Sequence, residues 1–278
     1  MRIDIQLIPL LPDSSLLVNR TVVVIDVLRA TSVIVHALSK GALEIIPVET
    51  TDMAFRQRDH FPPGSTLLGG ERHSKRIEGF DLGNSPREYV PEIVKNKRII
   101  LMTTNGTKAF HSVSKGKEVM AASFLNIRAA AERCVERDHD VMVFPSGNNG
   151  KFSLEDAVCG GMLIDRIRKS IRVGTNRNDC CTYTVVPTPD HGRVGDGLIL
   201  GDASISAHIL YQRFESNLLE AFHLSDHGKD LVRLGFGDDL VYCAQTDIST
   251  LVPIFKDGVI RVPSPPPSPL GGEGKGEG

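Results

Sequence analysis

Apolar and polar positions along this chain recur in one order: a short β-branched run, a small polar turn, then an apolar stripe at helical spacing. Thr21-Val-Val-Val-Ile-Asp26 is such a run, leading through Leu28-Arg29-Ala30-Thr31-Ser32 into a helix with Ile34, Ala37 and Leu38 on one face, closed by Gly41. Arg98-Ile-Ile-Leu-Met102 repeats the pattern, followed by Thr103-Thr104-Asn105-Gly106-Thr107 and a helix carrying Ala109, Phe110 and Val113. Asp140-Val-Met-Val-Phe144 is the third, with Ser146-Gly-Asn-Asn-Gly150 and a long helix from about Ser153. Between the second and third units, Ile127, Ala130, Ala131, Cys134 and Val135 mark a packing helix for which Asn126 is the expected N-cap. Alternating strands and helices predict a layered α/β/α fold with a mostly parallel or mixed sheet. In such sheets ligands bind beyond the strand carboxyl ends, and helix N-termini there favour anions, so three converging polar loops predict an anion pocket.

Residues 1–262 carry this grammar and are expected to form one domain, with room for two subdomains. The Pro/Gly-rich segment 263–278 lacks residues that pack a core and reads as a disordered tail.

Composition narrows the partners. The 278 residues include 32 basic and 34 acidic side chains, a formal charge of -2, so no global field recruits nucleic acid and an anionic ligand needs local donors. The apolar runs fall far short of the roughly 20 residues of a membrane helix, and the N-terminus does not read as a signal peptide, which points to the cytoplasm. Nothing in the pattern opposes a homodimer. Cys134, Cys159, Cys180, Cys181 and Cys243 show no C-x-x-C spacing and are expected to be reduced structural thiols. His36, His111 and His208 fall on helix faces and read as packing or surface residues.

The acids carry the candidate chemistry. Asp26 closes a continuously apolar strand, where a carboxylate must be paired or must serve a site; its neighbour Arg29 is the structural alternative. Gly69-Gly70-Glu71-Arg72 follows the short strand Ser65–Leu68 and puts two charges past a strand end. In Gly79–Pro86, Ser85 is expected as an N-cap with Pro86 at N1, leaving Asp81 and Asn84 for a ligand. Ser153-Leu-Glu-Asp156 fits a capping box that accounts for Asp156 and leaves Glu155 without a structural role beyond the helix dipole. A true P-loop is absent: Gly147-Asn-Asn-Gly150-Lys151 is two residues short between its glycines, and Phe152 stands where Ser or Thr is needed. No second acid follows Asp26 at two residues, and no H-E-x-x-H pattern occurs.

Five blocks taken in order, Asp26–Ser32, Gly69–Arg72, Gly79–Pro86, Thr103–Thr107 and Phe152–Asp156, closely resemble the 2-phosphosulfolactate phosphatase family, and the resemblance continues through Gly201-Asp-Ala203 and Asp239–Ala244 to about Pro253. It departs at Phe144-Pro-Ser-Gly147, where related sequences tend to have a Cys-Ala-Gly-like turn. The resemblance implies a magnesium-dependent hydrolase of 2-phospho-3-sulfolactate with an α/β fold, acting in coenzyme M synthesis. Carried onto this chain, it implies catalytic roles for Asp26, Arg29 and Glu155, and magnesium held by Asp26 with Glu71 or Glu155. The small anionic phosphorylated substrate would then meet Thr31, Ser32, Arg72, Asn84, Ser85, Thr104, Asn105, Gly106 and Thr107. Arg29 is expected on the phosphoryl group and Arg72 on the sulfonate or carboxylate. Two rival readings stand beside it: a phosphatase of another small phosphorylated or sulfonated acid, and a non-catalytic anion-binding module, the latter disfavoured because a pure anion binder has no use for unpaired acids beside its ligand.

Overall fold

The structure, a computed structural model, describes residues 1–10, 12–174 and 198–263, so the expected tail beyond Pro263 and the Cys180-Cys181 pair lie outside the described residues. The strands are β1 (Arg2–Ile5), β2 (Arg20–Ile25), β3 (Glu44–Val48), β4 (Thr66–Arg72), β5 (Lys75–Arg76), β6 (Arg98–Met102), β7 (Glu118–Ala122), β8 (Asp140–Pro145), β9 (Ile199–Leu200), β10 (Ile254–Lys256) and β11 (Val259–Arg261). The helices are α1 (Ala30–Ser39), α2 (Thr51–Asp59), α3 (Pro91–Val94), α4 (Gly106–Ser112), α5 (Ile127–Arg137), α6 (Leu154–Gly174), α7 (Asp202–Phe214), α8 (Leu218–Leu224), α9 (Asp226–Arg233) and α10 (Gly237–Cys243).

One mixed sheet runs in the order β5-β4-β6-β3-β11-β10-β7-β2-β8-β1-β9. Strands β4, β6 and β3 are mutually parallel, and so are β7, β2, β8, β1 and β9. The hairpin β10–β11 joins these two blocks through three successive antiparallel pairings, so the blocks run in opposite senses. Val22, Val23, Val24 and Ile25 are wholly buried, as expected of a parallel strand covered on both faces.

Three cores result. Helices α5 to α8 pack on one face of the larger block, with Ile3, Val23, Ile25 and Val143 meeting Ala130, Leu163, Ala207 and Phe222. Helix α2 covers the outer face of the smaller block around Ile46, Leu68 and Ile100. Between the blocks lie α1 and α4, where Ile34, Leu38 and Phe110 contact Val22, Val24, Ile45, Ile99 and Val119 from both. The turns that enter α1 and α4 are therefore set between the two blocks, and both belong to the expected site.

Local expectations are corrected in two places. The expected strand Ser65–Leu68 continues through Gly69, Gly70, Glu71 and Arg72. Gly70 permits this: its φ is +137°, and a Cβ there would lie 1.9 Å from the Met102 carbonyl, so only glycine lets β4 stay against β6. Asn126 does not cap α5 with its side chain; its Oδ1 accepts from the Ser123 amide and its Nδ2 donates to the carbonyls of Ala121 and Leu251, which fastens the preceding turn instead.

Candidate active site

Asp26 leaves β2 into the turn that starts α1, and its main chain is fixed by the next residues. The Thr31 hydroxyl donates to the Asp26 carbonyl at 2.8 Å and accepts from its amide, while the Ser32 hydroxyl donates to the Val27 carbonyl. Thr31 and Ser32, both expected to touch substrate, are thus fully buried and committed to holding the Asp26 loop. The Asp26 carboxylate accepts from the Ala30 amide at 3.2 Å. On its other side stands Gly106, where a Cβ would lie 2.6 Å from Asp26 Oδ2 and 2.5 Å from the Ala30 methyl. That glycine lets the start of α4 close onto the carboxylate.

Burial pushes the Asp26 carboxyl up to about 6, and Glu71 adds to the rise while Ser146, the Ala30 amide and Arg29 oppose it. Ser146 Oγ faces this carboxylate but falls short of hydrogen-bond geometry and has no other partner, so its hydroxyl can turn to a ligand. Glu155 is buried and raised, chiefly by burial, with Asp26 a lesser repulsive neighbour. Asp156 is raised well above the ordinary carboxylate range by burial, Glu155 and Asp26. Its carboxylate does not close the expected capping box. Ser153 accepts from the Asp156 amide as a cap should, but Asp156 Oδ1 accepts from the Val27 amide at 2.9 Å and so ties α6 to the Asp26 loop.

Glu71 lies within β4 and is buried, one oxygen accepting from Thr104 N at 2.8 Å and the other from Ser74 N at 2.7 Å. It therefore clamps the loop after β6 to the turn after β4. Thr107 caps that loop's helix with Thr103, each hydroxyl meeting the other's backbone, and is buried away from ligand. Thr104 and Asn105 remain half-buried, and Asn105 Oδ1 accepts from Asn149 N at 3.3 Å.

Arg29 pairs with Asp239 on α10 rather than with Asp26. Its second terminal nitrogen donates to the Ser74 carbonyl at 3.1 Å, its guanidinium lies 4.3 Å from the Phe236 ring centre, and its Nε, buried, has no partner. Ser85 does not cap its turn; its hydroxyl donates to the other Asp239 oxygen at 2.6 Å. Asn84 is buried with Oδ1 unpartnered, whereas Asp81 accepts from the Leu68 amide and is structural. Arg72 is exposed on the β4–β5 hairpin, outside the clefts at the site.

Two clefts lie beside this core, sharing Glu71 or Ser146 with it, while Asp26, Arg29 and Glu155 line neither. One, about 370 Å³, is lined by Glu71, Ser74, Thr104, Asn105 and Asn149 and by His227, Asp230 and Arg233 of α9. The other, about 330 Å³, lies across the shared wall of Thr104, Asn105 and Asn149 and is lined by Lys108, Ser112, Ser146 and Phe144. The sequence pattern did not point to α9, a short amphipathic helix like any other, and Asp239, though it opens one of the segments that carry the resemblance, had no role assigned, being distant from its partners along the chain.

The described residues contain no cluster of three or more His, Cys, Asp and Glu side chains that could hold a metal ion. What the site offers a cation is one or two hard carboxylate oxygens among Asp26, Glu71 and Glu155. That donor set fits magnesium, which keeps water and substrate oxygens in its remaining positions, and does not suit zinc.

The sequence profile of the family described as 2-phosphosulpholactate phosphatase matches residues 7–258. A protein of Clostridium novyi, strain NT, named a probable 2-phosphosulfolactate phosphatase, is 39% identical over 85% of this chain and 89% of its own length. Proteins of the same name from Symbiobacterium thermophilum and Thermotoga maritima are each 37% identical, over 90% and 86% of this chain and 97% and 91% of theirs.

Proposed function

This chain belongs to the 2-phosphosulfolactate phosphatase family, and on that premise we propose that it is a phosphoric monoester hydrolase that converts 2-phospho-3-sulfolactate to 3-sulfolactate and phosphate with magnesium. The observation that carries the reading is Asp26: a buried carboxylate raised to about 6, set at a strand end between the first turns of two helices and beside two further buried acids. A structural carboxylate would be neutralised by an adjacent cation, and the nearby guanidinium is instead paired with Asp239.

Asp26 with Glu71 or Glu155 would hold magnesium, which when bound neutralises phosphoryl oxygens that this acidic site would otherwise repel. A buried carboxylate not committed to the ion orients the attacking water and takes its proton as the new P–O bond forms in line with the breaking ester bond; a raised carboxyl is matched to that task. Arg29, held by Asp239, presents its uncommitted Nε as a donor to developing charge. Thr104 and Asn105 line both clefts and orient the substrate. Phosphate release from a panel of phospho-acids, with magnesium and with chelator, tests the reading; equal rates in the two conditions would exclude the metal.

No helix among the described residues is long and apolar enough to cross a membrane. A cytoplasmic location and a place in coenzyme M synthesis stay part of this proposal, resting on the family and the composition.

A further inference from the structure

The two clefts flanking Thr104, Asn105 and Asn149 differ in charge. The larger carries two acids, Glu71 and Asp230, and its one arginine, Arg233, already pairs with Asp230. The smaller has no acid among its lining residues, and its single charge is Lys108, which has no ion-pair partner among the described residues. Of the rest of its polar lining, Thr104, Asn105, Ser146 and Asn149 can donate, while the Ser112 hydroxyl is committed to the Lys108 carbonyl. Ser146 is 4% exposed, and its unpartnered hydroxyl stands between this cleft and Asp26. A buried hydroxyl left without a partner costs free energy that a ligand acceptor would recover.

An anion entering the larger cleft meets like charges unless a cation intervenes, whereas one entering the smaller meets no acid side chain in the lining and an unshared ammonium. We propose that the cleft between α4 and the β8–α6 loop is the subsite for the anionic end of the substrate remote from the phosphorus, a sulfonate or carboxylate, with Lys108 supplying the charge and Ser146 a hydrogen bond. This deepens the phosphatase reading and rests on it. It moves the recognition of that group from Arg72, which is exposed on a hairpin, to Lys108.

The test is steady-state kinetics of wild type, Lys108→Met, Lys108→Arg and a control, Lys115→Met, on 2-phospho-3-sulfolactate and on 2-phospholactate, which lacks the sulfonate. Lys108→Met is expected to raise KM about tenfold or more with kcat within about twofold, Lys108→Arg to recover most of the loss, and Lys115→Met to leave KM unchanged. A rise confined to the sulfonated substrate identifies the sulfonate as the bound group; a rise on both with inhibition by inorganic phosphate unchanged identifies the carboxylate, and a rise on both with phosphate inhibition equally weakened places Lys108 on the phosphoryl group and overturns the proposal. An unchanged KM for Lys108→Met on both substrates, or an equal rise for Lys115→Met, overturns the proposal. If wild type hydrolyses neither compound, the phosphatase reading fails separately. Calorimetric binding of 3-sulfolactate then decides the subsite: about tenfold weaker binding by Lys108→Met supports it, and no binding to wild type or equal binding to both overturns it.

Discussion

Arg29 and Asp239 form an ion pair of 2.5 Å whose side chains are 1% and 2% exposed, and Ser85 occupies the second oxygen of the same carboxylate. The pair joins the turn after β2 to α10, and through Ser74 it also holds the turn after β4. Removing one member leaves a buried charge unpaired. Asp239→Asn is therefore expected to cost about 3–5 kcal/mol of unfolding free energy, whereas Arg29→Met with Asp239→Leu should cost much less than the two single changes together. Urea denaturation of wild type, Asp239→Asn, Arg29→Met, Asp239→Leu and the double variant checks this, and a loss below about 1 kcal/mol for Asp239→Asn would mean the pair is not desolvated.

Gly106 is the contact point between α4 and Asp26. Alanine there would place a methyl group 2.5 Å from the Ala30 methyl and 2.6 Å from Asp26 Oδ2, so backbone must move. Gly106→Ala should lower stability by about 1–3 kcal/mol and displace the carboxylate enough to lower kcat more than it raises KM. Normal stability and normal turnover in this variant would refute the close approach.

Asp26 gives the metal-free protein a pH dependence of unusual sign. Its carboxyl ionises near 6 when folded and at 3.8 as a model group, so between these values the folded state binds more protons. Stability contributed by this group is fully present below about 4 and is lost as pH rises through about 6, a change of about 3 kcal/mol. Glu155 and Asp156 are shifted in the same direction. After chelation, Asp26→Asn should therefore gain stability relative to wild type as pH rises across this window. Denaturation midpoints of the two proteins at several pH values measure it, and a gap that does not widen contradicts the buried, unpaired carboxylate.

The strand-turn-helix units after β2, β6 and β8 were legible because apolar runs and small polar turns are local signals. Glu155 was legible for a different reason: the capping pattern explained its neighbour and left it over. The same pattern concealed Asp156, because a residue fit for capping carries no mark that its carboxylate will reach Val27 instead. Asp239 lies 210 residues from Arg29, and nothing near either residue signals the pairing. Arg72 misled because Gly69-Gly70 reads as a turn, while in the folded chain Gly70 extends β4 and sends Arg72 outward on the hairpin. The hairpin β10–β11, which joins two oppositely directed blocks, depends on long-range pairing that short apolar runs do not encode.

Phosphate release from 2-phospho-3-sulfolactate by wild type and Asp26→Asn, each with magnesium, after chelation and after magnesium is restored, bears most directly on the role given to this site. The expected result is turnover by wild type that chelation abolishes and magnesium restores, with kcat lower by about 100-fold or more in a folded Asp26→Asn protein. Turnover by Asp26→Asn close to that of wild type, or wild-type turnover indifferent to chelation, would contradict it.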